Sequence, residues 1–283
     1  MSDSLTEITK LDSSFYPQQE PDRRWTLRCY KFSRDNLLRL HVFSVMCLNG
    51  IWLGILNQKS LHKIDEIYYS DTANYYSENY NSKGLNNWER EQIETYFKDC
   101  HELLVLAAGG GRETYALQKM GYHVDAFECH EGLLNFANSF LEKSGLTPCV
   151  KFVERDECPV SQRRYDGAIV GWGAYMLIQP RRKRIEFLQQ ICGQIKENAP
   201  ILLSFFQRSN ENRIYRGVAV IANIFRFALG RERAEVGDFL EPNFVHYFTR
   251  EQIEAELRDA GCRLTYFSKK PYGHAVAIRE KQN

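Results

Sequence analysis

Three consecutive glycines, Gly109-Gly110-Gly111, follow the apolar run Leu103-Leu104-Val105-Leu106-Ala107-Ala108 and precede a helix-forming stretch from Arg112. A strand that ends in glycines and opens a helix lets a ligand approach bare backbone and presents it with the first amides of that helix. Glu128 stands 17 residues after Gly111, at the end of the next apolar run. A carboxylate there can accept hydrogen bonds from both hydroxyls of a ribose. The dinucleotide spacing G-x-G-x-x-G would start at Gly109 and needs glycine where Thr114 stands, and the phosphate loop G-x-x-x-x-G-K-[ST] is absent. Nicotinamide dinucleotides and nucleoside triphosphates are therefore poor candidates.

The elements that must position these residues alternate from Leu103 onward. Short aliphatic runs predict strands at Leu103 to Ala107, His123 to Phe127, Val150 to Val153, Gly167 to Val170, Ile201 to Phe205, Leu264 to Phe267 and His274 to Ile278. Amphipathic stretches between them predict helices at Glu113 to Met120, Leu133 to Lys143, Arg182 to Lys196 and Thr249 to Ala260. The last has Thr249 as N-cap, Gln252 in the capping-box position and Gly261 past its end. This is the pattern of an α/β fold, with a seven-stranded, mostly parallel sheet and helices on both faces. Residues 86–283 form that domain and residues 1–85, rich in aromatics, a helical flank or lid. A cap insert spans 208–248, with a helix over Arg213 to Leu229 read from Ile214, Val218, Ile221, Ala222 and Phe225.

With 283 residues, 37 Lys and Arg and 36 Asp and Glu, the chain carries a formal net charge of +1. No global field recruits nucleic acid, so a charged substrate must be met locally. The eight cysteines form no C-x-x-C pair and suggest neither zinc nor a disulfide framework, which fits a reducing, cytoplasmic setting. Met1 to Lys10 lacks the pattern of a signal peptide. The apolar stretch His41 to Leu56, interrupted by Asn49 and Gly50, reads as a buried or half-buried helix rather than a membrane span. The alternative is that Phe43, Met46, Ile51, Trp52 and Ile55 lie on a membrane interface.

With these motifs in order, the stretch from Tyr68 to Ile278 resembles the class I S-adenosylmethionine-dependent methyltransferases, a Rossmann-like family. The resemblance places that family's glycine loop on Ala107, Gly109 and Gly111, its ribose-binding acid on Glu128, and its adenine-contacting acid on Asp156, with Glu157 as a neighbour able to replace it. It implies S-adenosyl-L-methionine as cofactor. Tyr165 to Tyr175 looks like the family's fourth strand, where Gly171 and Gly173 allow close approach and Trp172 and Tyr175 could wall an acceptor pocket. Tyr68 to Tyr76 is similar to the tyrosine-bearing segment that folds over the cofactor, with Tyr76 as its contact. Two departures stand out: Val105 where the family carries an acid, and Ala107 where it carries glycine. Glu113 or a backbone carbonyl is then the substitute partner for the methionine ammonium.

The implied reaction is methyl transfer to oxygen or nitrogen of a small-molecule or natural-product acceptor. Methylation of a peptide or protein acceptor, or nucleotide binding without catalysis, are the alternatives. An in-line displacement needs alignment and exclusion of water, plus a base where the acceptor is a phenol or an amine. His246 is the first candidate and His274 the second. Arg208, Arg213, Arg216, Arg226, Arg231 and Arg233 of the insert could hold an anion, although a solvated helix face is the simpler reading. Arg181-Arg182-Lys183-Arg184 reads as a wet helix start, and Cys129 as structural. A homodimer is left open.

Overall fold

The computed structural model describes residues 23–209 and 212–281. Met1 to Lys10 lies outside them. The chain divides into two compact units, residues 1–45 and 46–283. The described part of the first unit is helical throughout and belongs to α1, Arg23–Ile55, which continues into the second.

In the second unit, α2 (Gln58–Asp71) is capped by the Asn57 side chain, which accepts from the Ser60 amide. A single 3₁₀ turn, Ala73–Tyr76, and a one-turn helix α3, Glu78–Asn81, lead to α4, Asn87–Tyr96. Then come β1 (Glu102–Leu106), α5 (Arg112–Lys119), β2 (His123–Glu128), α6 (Glu131–Lys143), β3 (Val150–Phe152) and β4 (Gly167–Val170). The chain continues through α7 (Arg181–Gln194), β5 (Pro200–Phe205), α8 (Arg213–Ala228), β6 (Asp238–Leu240), β7 (Phe244–His246), α9 (Arg250–Asp259), β8 (Cys262–Ser268) and β9 (Gly273–Arg279).

Seven strands form one sheet in the order β3-β2-β1-β4-β5-β9-β8, with β6 and β7 as a separate hairpin. β1 to β5 pair in parallel, and β9 runs antiparallel to both its neighbours. Parallel strands covered on both faces need apolar side chains on both sides, and every residue of β4 and β5 is buried. Leu103 and Val105 of β1 face a core built with Trp88 and Ile93 of α4, Leu117 of α5 and Leu141 of α6. Another set of helices, α7 and α9, packs together and buries Leu188, Ile191, Ile253 and Leu257. The Thr249–Gln252 capping box opens α9 as its sequence predicts.

Chain order reverses between β1 and β4: β1 leads outward to β2 and β3, whereas β4 starts the other half of the sheet. The crevice beyond the carboxyl ends of strands at such a reversal is where open α/β sheets bind ligands.

Candidate active site

A cavity of about 790 Å³ opens at that reversal, lined by the ends of β1, β2 and β4, the loop after β3 and the side of α2. Its volume is that of a small-molecule site.

The loop after β1 is shaped by left-handed backbone. Ala107, Gly109 and Gly111 have φ of 54°, 54° and 90°, and Gly111 caps α5. Such values are open to glycine and strain alanine. No atom lies within 4 Å of the place where a Cβ on Gly109 would stand, so bare backbone faces open space. A Cβ on Gly171 would collide with the Ala107 carbonyl, and one on Gly110 with that of Tyr75. These glycines are required by close backbone approach.

Glu128 is buried at the end of β2. Its Oε2 accepts from the Gly109 amide at 2.8 Å and its Oε1 from the His130 amide at 2.9 Å. Each oxygen retains a lone pair for a further donor.

Beyond β3, Asp156 lies in left-handed backbone with φ of 64° and lines the cavity. Burial pushes its carboxyl up to about 6, against the pull of Arg155. Its Oδ2 is 3.6 Å from Nε2 of His62 on α2. Burial, helped by Arg155, holds His62 down at about 4, so near neutral pH this contact is carboxylate to neutral imidazole. Arg155 also pairs with buried Asp65 of α2, fixing that helix over the loop.

At the start of α5, the Arg112 guanidinium donates to both Glu89 oxygens at 2.7 Å and to Glu113 Oε1 at 2.5 Å. All three side chains are buried. Burial alone would lower Arg112, and the adjoining carboxylates reverse this and raise it. Two carboxylates around one guanidinium leave the cluster net negative when both are ionised. Glu113 lines the cavity and also accepts from the Trp172 amide at 3.3 Å.

Tyr69, Tyr75 and Tyr80 add an aromatic wall, with Tyr75 ring centroids 5.6 Å from Tyr69 and 6.2 Å from Tyr80. Burial pushes the Tyr75 phenol up to about 12, so it stays protonated. Cys129 is likewise raised to about 12 by burial and offers no thiolate.

The structure thus brings Ala107, Gly109, Glu113, Glu128 and Asp156 to one cavity, with Gly111 and Gly171 shaping its backbone. Other expected residues stand elsewhere. Tyr76 packs on Phe136 with its hydroxyl 3.5 Å from His130 Nδ1, and its neighbour Tyr75 reaches the cavity instead. His246 is fully buried in the β6–β7 hairpin, where Nδ1 donates to Asp238 at 2.7 Å; it does not line the cavity. Tyr175 is also fully buried and donates to Glu256 at 2.6 Å. His274 lines a second, smaller hollow, its ring centroid 4.6 Å from that of Trp88.

Nor is Arg184 solvated. It is completely buried, bonded to Glu256 and to Glu235 at 2.9 Å. Three of the insert's arginines serve backbone carbonyls: Arg208 donates to Tyr247 and Val236, Arg226 to Leu53 and Glu232, and Arg231 to Gly54 and Ile55, while Arg213, Arg216 and Arg233 are exposed. His62, Tyr69, Arg112 and Asn81 line the cavity without having been singled out. Their cavity-facing positions depend on how separate elements come together in the fold, which residue spacing within one element does not fix.

No family model and no curated protein matches the chain. Among solved structures it is similar to an S-adenosylmethionine-dependent methyltransferase from Methanosarcina mazei, at 17% identity and a TM-score of 0.56, covering 70% of this chain and 100% of that one. A second similar structure is an S-adenosylmethionine-dependent methyltransferase from Clostridium acetobutylicum, at 11% identity and a TM-score of 0.50, covering 79% and 98% of the two chains. DesVI from Streptomyces venezuelae is similar at 11% identity and a TM-score of 0.51, covering 79% and 99%. At these identities the likeness establishes the fold, the seven-stranded Rossmann-like sheet of such methyltransferases.

Proposed function

We propose that the chain is an S-adenosylmethionine-dependent methyltransferase acting on oxygen or nitrogen of a small-molecule acceptor. The observation that carries this reading is the convergence, at one topological reversal, of the open Gly109 backbone, the Glu128 and Asp156 carboxylates and the buried Arg112–Glu89–Glu113 cluster. When bound, the cofactor supplies an electrophilic methyl group on a cationic sulfonium.

Each part of that cofactor has a chemical match here. Glu128, its two oxygens fixed by backbone donors, keeps acceptor capacity for the ribose hydroxyls. Asp156, ionised above about pH 6, accepts from the exocyclic amine of adenine. Val105 is fully buried within β1 and could not reach the cavity, so Glu113 takes the methionine ammonium. A carboxylate lining the cavity favours a cationic group over the anionic phosphates of a dinucleotide. The Tyr69–Tyr75–Tyr80 wall excludes water from the transfer. For an acceptor that must lose a proton, His62 and His130 are the imidazoles lining the cavity.

Calorimetric titration with S-adenosylmethionine, S-adenosylhomocysteine and NAD tests the reading. Binding of the first two and not of NAD supports it. A preference for NAD, or no binding of either adenosyl ligand by the folded chain, refutes it.

A further inference from the structure

α8 is apolar on two faces. Tyr215, Val218, Ala219 and Ala222 are buried, yet Val220, Ile224 and Phe227, four and three residues apart along one stripe, are 63%, 65% and 86% exposed. A helix on the surface of a water-facing domain ordinarily keeps its outer stripe polar. The C-terminal end of α1 repeats the pattern, with Leu48, Trp52 and Ile55 exposed and Leu53 fully buried. The two helices are locked together through Gly50 and Gly54: a Cβ there would stand 2.6 Å from the Ile221 Cβ and 2.7 Å from the Phe225 Cβ. This spacing of small residues brings two backbones close, and six large apolar side chains on the two helices remain uncovered.

The charges at the ends of α8 are mostly basic. α8 begins with Arg213 and Arg216, both exposed, contains no acid, and is followed by Arg231 and Arg233 against Glu232. In sequence, the first half of α1 carries Arg24, Arg28, Lys31, Arg34 and Arg39 with Asp35 as its acid. By length and composition α1 could cross a membrane. Its basic first half and the fixing of its last turns to α8 oppose a span, since Arg226 and Arg231 hold the carbonyls of Leu53, Gly54 and Ile55. A second copy of the chain would set arginines against arginines. A basic, apolar helix face carrying a tryptophan suits the boundary between headgroups and acyl chains.

We propose that the outer face of α8 and the end of α1 docks on a bilayer containing anionic phospholipid. Val220, Ile224, Phe227 and Trp52 enter the acyl boundary while the arginines meet the phosphates. The inference is independent of the cofactor reading.

Vesicle flotation of the full chain tests it, with phosphatidylcholine alone, with phosphatidylcholine plus phosphatidylglycerol, and at low and high salt. The chain floats with the anionic vesicles, less so at high salt, and Ile224→Glu with Phe227→Glu reduces binding by about tenfold or more. Circular dichroism and adenosyl-ligand titration of the double variant show that its fold and cavity survive, which keeps a loss of flotation attributable to the face. Failure of the wild type to float with either vesicle overturns the proposal. So does a dimer in light scattering that the double variant dissolves while no vesicle is bound, because the face then serves a second copy.

Discussion

The Gly109 amide donates to the Glu128 carboxylate over 2.8 Å, so the loop after β1 and the end of β2 are one object. Loss of that carboxylate frees the loop as well as removing an acceptor for a ribose. Glu128→Ala is expected to weaken S-adenosylmethionine binding by about a hundredfold and to lower stability by about 1–3 kcal/mol, the desolvation penalty of unpartnered donors. Calorimetry and urea unfolding measure the two separately. Unchanged affinity in a folded variant would remove Glu128 from the site.

Ala107 holds φ of 54° without being glycine. Left-handed backbone costs an alanine about 1–2 kcal/mol, and glycine gives back part of that gain through the greater freedom of its unfolded chain. Ala107→Gly is therefore expected to stabilise the fold by about 0.5–1 kcal/mol in urea unfolding. A destabilised variant would show that the methyl group packs usefully.

His62 and Asp156 face each other and titrate in opposition. Asp156 is raised to about 6, so its contribution to stability is present at low pH and is lost as pH rises through about 6. His62 is lowered to about 4, so its contribution is present above its usual range and is lost as pH falls toward about 4. Between these limits the contributions of the two groups run in opposite directions and offset each other. His62→Ala leaves stability falling as pH rises, by up to about 3 kcal/mol from Asp156. Asp156→Asn leaves stability rising with pH. Thermal unfolding across that range reads both slopes, and equal slopes in the two variants would refute the pairing.

What the sequence carried was local. The glycine loop, Glu128 and the Thr249 capping box are each set by a few adjacent residues, and strand and helix periods placed every strand of the main sheet within two residues at each end. Choices that depend on tertiary register were illegible. Tyr75 and Tyr76 are chemically alike, and only the phase of a single 3₁₀ turn decides which one faces the cavity. Arg184 sits in a basic run and is buried because Glu256, 72 residues later, arrives beside it. The exposed stripe of α8 has the same residue types as its buried one, so composition could not tell core from surface.

Tyr175 and His246 test whether buried polar groups near the site belong to the chemistry or to the scaffold. Tyr175 donates to Glu256, Glu256 holds Arg184, and none of the three lines the cavity. Tyr175→Phe removes one hydrogen bond to a charged group and is expected to lower stability by about 1.5–3 kcal/mol with no change in adenosyl-ligand affinity. Arg184→Met strands a buried carboxylate and is expected to lower stability by about 3–5 kcal/mol, much of it recovered when Glu256→Met is added. His246→Ala leaves the buried Asp238 carboxylate with the Glu235 amide but without its imidazole donor and follows the same pattern: a stability loss with cofactor binding retained. Urea unfolding and calorimetry on each variant separate the two roles. A fall in adenosyl-ligand affinity in a stably folded Tyr175→Phe or His246→Ala chain would return that residue to the active site.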